Sequence, residues 1–227
     1  MSNIISLFFL LAIKYLSKIF YNTKENWNIP KNKIDWDKIK LIVFLNHTSL
    51  FEFLYINILP NKFLYKLSRR MVAPAASKTL DRPIVGLFFK LFSPGLISIT
   101  RKRDDSWTNF LESIYEDSVI LIAPEGRMKR ENGLDAEGNE MTVKSGVVEL
   151  IKKLKDGSIV FAYSGGLHHV NIPDKHNVSF FKTIKINVEI LEIEKYKNSF
   201  NLDILSEAWN STVLADLQNR LETKIPL

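Results

Sequence analysis

The sequence predicts one α/β domain, with a mostly parallel or mixed central sheet flanked by helices and an amphipathic, membrane-associating helix in front of it. Three observations predict it. Four short apolar runs, 39–45, 96–100, 118–123 and 158–163, are rich in β-formers and lack polar alternation. That is the pattern of strands covered on both faces. Segments of helical periodicity (49–59, 84–92, 105–116 and 144–155) lie between those runs, and alternating strand and helix builds a layered α/β domain. The third observation is the stretch 4–20, apolar except for Ser6, Lys14, Ser17 and Lys18.

As a helix, 4–20 extends roughly 25 Å, short of a hydrocarbon core of about 30 Å. No basic residue precedes the run and no small-residue cleavage site follows it, so it reads poorly as a signal peptide. Lys14 and Lys18 stand i, i+4 on one face, which suits a helix lying at the membrane interface; a helix buried against the domain's own core and a true span are the alternatives. Residues 22–38, with Trp27 and Trp36, read as a connector. The tryptophans suit either a headgroup level or plain packing. The expected organisation is a membrane-associating segment and connector over 1–38 and a single domain over 39–227. Within the domain, 127–142 is a polar, glycine-bearing loop and 164–181 a second loop. Residues 182–194 alternate with period two, as a half-exposed strand does, and 204–223 form a closing helix. The aromatic run 84–92 suits core, an acyl-chain groove or a membrane-facing patch.

Composition narrows the partners. Of 227 residues, 46% are hydrophobic and 25% charged, which fits a globular chain and excludes wholesale disorder. Thirty-one Lys+Arg against 25 Asp+Glu give a net charge of +6, favouring an anionic partner. Membrane lipid and phosphorylated small molecules fit; nucleic acid has no supporting motif and is not expected. The chain has no cysteine, so disulfides and thiolate metal sites are excluded. That fits a reducing compartment and a place on the cytoplasmic face of a membrane. Oligomeric state is not legible.

Three apolar runs end on conspicuous polar residues: the first on Asn46-His47, the second on Arg101, the third on Pro124-Glu125-Gly126-Arg127. Ligands of open α/β sheets bind beyond the carboxyl ends of the strands, so parallel strands bring these residues to one edge. If a helix starts at Ser49, Glu52 in its first turn lies beside the His47 imidazole. A carboxylate on one ring nitrogen fixes the tautomer and leaves the other nitrogen free to take a proton. The same residues also read as a capping box, Ser49-x-x-Glu52 before an apolar run, which needs no catalysis. A carboxylate has acceptor sites enough for both roles. His168 and His169 are adjacent, so on a strand they point to opposite faces; with His176 nearby, no metal is expected.

Asn46-His47-Thr48-Ser49-Leu50-Phe51-Glu52 resembles the first block of the glycerolipid acyltransferases, Asn-His-x-Ser-x-x-Asp. Gly95 to Arg101 resembles the second block, Gly-x-Ile-x-Ile-x-Arg. Ala123 to Arg127 resembles the third, Phe-Pro-Glu-Gly-Thr-Arg, and Lys144-Ser145-Gly146 the Lys-x-Gly that follows it. The resemblance covers roughly 40–163. It implies direct transfer of a fatty acyl group from acyl-CoA or acyl carrier protein to a hydroxyl of a lysophospholipid, most simply 1-acylglycerol-3-phosphate. No cofactor beyond that co-substrate is implied. His47 would be the general base and Glu52 its partner, with Asn46, Ser49, Arg101, Glu125, Gly126 and Arg127 on the substrate side. The chain departs from the pattern in four places. Glu52 stands for the commoner Asp, Arg127 for Thr, Met128 for Arg, and Ala162 where a proline is usual. The departures leave other acceptors open: an amino-acid-linked lipid, glycerol phosphate or a lipid A precursor. They also leave open a catalytically silent peripheral membrane protein.

Overall fold

A computed structural model describes residues 3–93, 95–100, 104–173, 175 and 177–226. It contains a seven-stranded mixed sheet. The strands are β1 (Tyr21–Trp27), β2 (Ile39–Leu45), β3 (Met71–Ala76), β4 (Gly95–Ile99), β5 (Val119–Ile122), β6 (Ser158–Ser164) and β7 (Lys182–Glu192), in the order β1-β7-β6-β2-β5-β3-β4. From β6 to β4 every pair is parallel. β7 turns antiparallel against β6, and β1 runs parallel to β7. The continuous apolar runs are thus the parallel block, and the alternating 182–194 segment is the strand that reverses.

Helices cover both faces. On one lie α1 (Asn3–Phe20), a 3₁₀ helix at Leu50–Ile58 and α2 (Asn61–Arg70), with α3 (Ser77–Leu80) and α4 (Pro83–Phe92) beside them. On the other lie α5 (Ser106–Glu112), α6 (Gly146–Lys153), α7 (Ile193–Asn198) and α8 (Glu207–Thr223). The period-two rule for strands sorts the core: Val160 and Ala162 of β6 face the α1 side, while Ile159, Phe161 and Tyr163 face the α8 side.

Two expectations change. The stretch read as a connector supplies edge strand β1, hydrogen-bonded to β7 from Tyr21 to Trp27, so the packing does not break between 38 and 39. Its side chains are mostly polar because an edge strand is half solvated. Lys14 is not on a polar outer face shared with Lys18. It is buried, and its ammonium donates to Leu59 O (2.7 Å) and Asn61 Oδ1 (2.5 Å) at the end of the 3₁₀ helix. Ser6 donates to Phe92 O and Ser17 to Leu54 O, both from the same inward face. The outward face carries Ile4, Ile5, Phe8, Leu16 and Ile19, all exposed. The helix therefore turns Ser6, Lys14 and Ser17 inward together with Leu10 and Ile13, and its outer face, Lys18 apart, is largely apolar.

Candidate active site

β2 leaves the sheet centre through Asn46, which has φ = 65°. Asparagine is among the few L-residues that tolerate this region, and its side-chain amide donates to Ser164 O (2.8 Å) at the end of neighbouring β6. The sharp turn places His47 beyond the carboxyl edge of the parallel block. Its main chain is held from both sides: the amide donates to Glu125 Oε2 (2.8 Å), and the carbonyl accepts from the Lys129 amide (2.7 Å).

Glu52 does both things the sequence allowed. Its Oε2 meets His47 Nδ1, and its Oε1 accepts from the Thr48 and Ser49 amides (2.6 and 3.3 Å). Ser49 Oγ accepts from the Phe51 amide, completing the capping box at the start of the 3₁₀ helix. An ionised carboxylate only accepts, so Nδ1 carries the proton and Nε2 keeps the lone pair. Burial disfavours the imidazolium, but the charge and hydrogen bond of Glu52, with Glu125 further off, outweigh it and raise the His47 pKa.

Glu125 is 2% exposed and faces inward. Its two oxygens accept from the Asn46 and His47 amides, each at 2.8 Å. Burial pushes its pKa up, against the pull of those two amides. It holds the turn that carries His47. Asn46 and Ser49 are likewise engaged in shaping the turn, and both are buried. Gly126 sits at φ = 69°, where a side chain would strain the turn that closes on Ala123 O.

Arg127 stands at the rim with its Nη1 on Asp135 Oδ2 (2.7 Å) and Glu137 Oε2 (2.6 Å). Burial pushes the Asp135 carboxyl up, but donors from Asn139, Glu137 and Arg127 hold it at about 2. Gly146 opens α6 beneath Trp107, whose ring would lie 2.7 Å from an added Cβ. Arg101 lies outside the described residues, as do Lys102, Arg103 and His176.

A cavity of about 800 Å³ runs from His47 along the α1 side of the sheet, within the usual range for ligand pockets. Ile42 and Phe44 of β2, Val160 and Ala162 of β6, Phe63 and Trp36 are among its walls. Phe89 and Phe92 of the 84–92 run also line it, while Ile84 and Leu87 of the same helix are exposed. His168 and His169 point apart, to Lys129 O and Thr183 O. Among the described residues no group of three His, Asp or Glu is placed to hold a metal. The Lys129 and His168 links to the catalytic turn were not read from the sequence. The first joins two main-chain groups and the second ends on one, so residue type does not reveal the partner.

A family model for acyltransferases matches residues 20–164. No curated protein matches the chain. Among solved structures, the crystal structure of the 1-acyl-sn-glycerophosphate (LPA) acyltransferase PlsC from Thermotoga maritima is similar, with a TM-score of 0.54 at 14% identity. The match covers 96% of this chain and 81% of that one. At that identity the likeness is one of fold.

Proposed function

The chain belongs to the acyltransferase family, and from that premise we propose that it moves a fatty acyl group from acyl-CoA or acyl carrier protein to a lysophospholipid hydroxyl. The simplest acceptor is 1-acylglycerol-3-phosphate. The observation that carries the reading is the His47–Glu52 pair at the mouth of a long apolar cavity. His47 Nε2 takes the acceptor hydroxyl's proton as that oxygen attacks the thioester carbonyl. The tetrahedral centre then collapses and expels the thiolate, which recovers a proton, and Glu52 stabilises the imidazolium formed on the way. The apolar cavity takes the acyl chain. The acceptor's anionic head would fall to Arg127 and, as the resemblance implies, Arg101, the arginines that end the third and second blocks.

One observation favours a second acceptor class. Arg127 is already engaged by two carboxylates, so an amino-acid-linked lipid with no phosphate suits the rim as well. The test is incubation of the purified protein with acyl-CoA and acyl carrier protein thioesters against a panel of lysolipids, with mass spectrometry of the products. Acylated lysophosphatidic acid is the expected product; acylation only of the amino-acid-linked lipid decides for the second reading. No acylated product from any pairing overturns both.

The same proposal places the enzyme at a membrane surface. By length and composition α1 suffices to cross a bilayer. However, Ser6, Lys14 and Ser17 fasten one side of it to the protein along most of its length. A spanning helix would have to give up those bonds and carry Lys14 into hydrocarbon, which is costly. Lying flat keeps the bonds and presents the apolar outer face to lipid.

A further inference from the structure

The segment Ser179-Phe180-Phe181-Lys182 closes the second long loop, where polar residues are the usual choice. Instead it shows two aromatic rings to solvent, Phe180 53% and Phe181 77% exposed. Phe181 also has φ = 57°, a left-handed backbone that is an outlier for a bulky side chain. Glycine or asparagine would adopt it without strain and expose no ring.

The geometry is held firmly. The Phe181 amide donates to Phe20 O (2.8 Å) at the end of α1, and the Ser179 amide to Val170 O (2.8 Å). Both rings meet Phe20, with centroids 5.3 and 5.7 Å away. Backbone strain of this kind persists only where the surrounding structure holds it, and it clusters at functional positions. Exposed Lys182 directly follows the pair, in a chain of net charge +6.

Position gives the rest of the argument. Phe181 directly precedes β7, which starts opposite Tyr21 and runs antiparallel to β6. The start of β7 therefore lies at the edge where β6 and β2 end, the edge that carries His47. The rings also pack on Phe20, the residue that follows exposed Ile19 at the end of α1.

We propose that Phe180 and Phe181 form a second membrane anchor, inserting into an anionic lipid surface and turning the catalytic edge toward it. The proposal rests on the reading of the enzyme as one that works at a membrane surface and adds to it a fixed orientation. Aromatic rings with a lysine beside them suit the headgroup boundary, where ring and ammonium are both accommodated.

The chain has no native cysteine, so Phe180→Cys carries an environment-sensitive fluorophore at one position only. On equimolar phosphatidylglycerol and phosphatidylcholine vesicles its emission should shift to the blue and be quenched by brominated acyl chains. Phe181→Gly should weaken vesicle partitioning by about tenfold, with Tm unchanged or raised because the strain is relieved. Phe181→Asn, which also tolerates the backbone, should behave alike. If both variants lower Tm and leave partitioning intact, the rings only pack against Phe20 and the proposal is overturned. A blue shift that grows with protein concentration without lipid, or needs acyl carrier protein, identifies another occupant and also overturns it. Phe8→Glu and Ile19→Glu on the exposed face of α1 test the interfacial reading of α1 separately. If they abolish binding while the label at 180 stays in water on bound wild-type protein, α1 docks and the second anchor does not exist. If the label inserts and they have no effect, the anchor stands and the α1 reading fails.

Discussion

The two faces of one sheet do different work. On the α8 side the layer is filled: Trp209, Phe161, Tyr163, Leu217 and Ile159 are 0–1% exposed. Arg220 is fixed there between Glu189, Asp216 and Tyr163, above the rings of Phe161 and Tyr196. On the α1 side, side chains of the same strands line about 800 Å³ of space. The first layer is closed, and on the proposed function the second keeps the space in which the acyl chain would lie. Each strand contributes alternate residues to both, so a substitution one position along should change which property suffers.

The largest expected effect is on the filled face. Trp209 is fully buried, with its indole N–H donating to Lys197 O. Trp209→Ala should cost about 3–5 kcal/mol, read as a fall in denaturation midpoint, with the surviving folded fraction turning over normally per molecule. A specific loss of turnover without destabilisation would break the division between faces.

On the hollow face, His47→Ala should leave a folded protein with acyl transfer reduced by about 10²-fold or more. Near-normal turnover in a lipid-product assay would remove His47 from the mechanism. Glu52→Gln is next, at about 10²-fold by analogy with the larger loss when a triad acid becomes its amide. Gln still serves a capping box, so Tm should barely move. Full activity would leave Glu52 as a cap alone.

These two residues were legible because their chemistry is local: the six residues from His47 to Glu52 hold base, cap and acid. The parallel strands were legible for the same kind of reason, as apolar runs that need no partner to be recognised. β1 was not, since Tyr-Asn-Thr-Lys-Glu-Asn-Trp lacks an apolar run and becomes a strand only because β7 offers its edge. β3 was missed because it carries Pro74 and three alanines. It tolerates the proline because β5 pairs only with Met71 and Val72, which leaves one side of the strand free from there on. The inward turn of Lys14 and Glu125 was hidden more deeply. A charged residue looks the same in sequence whether it meets solvent or backbone donors and acceptors 45 to 79 residues away.

A matched pair of enlargements sharpens the comparison at smaller magnitude. Ala162 lines the cavity and Val213 lies in the filled layer. Val213→Phe should cost about 1–3 kcal/mol by overpacking. Ala162→Phe should leave Tm nearly unchanged and shift the products toward shorter acyl chains. If Ala162→Phe destabilises as much as Val213→Phe and the chain profile is unmoved, the cavity is not where the acyl chain goes.

The smallest effect is the pH dependence, and it reports on the pair directly. Burial of His47 favours the neutral ring, but Glu52, with help from Glu125, raises its pKa above the ordinary value of 6.5. A general base works only when unprotonated, so kcat/KM should fall as pH drops through that raised pKa, with the acid limb centred above 6.5. The stability sign is the opposite. A pKa raised on folding contributes stability in full below the unfolded value and loses it as pH rises through the folded one. Across the interval where activity rises, the His47–Glu52 contribution to Tm should therefore decline. In Glu52→Gln the opposing carboxylate is gone and burial is resisted by Glu125 alone, so the acid limb should move to lower pH and the decline in Tm should shrink. An acid limb at the same pH in wild type and Glu52→Gln would mean that the titrating group is not a histidine held by this glutamate.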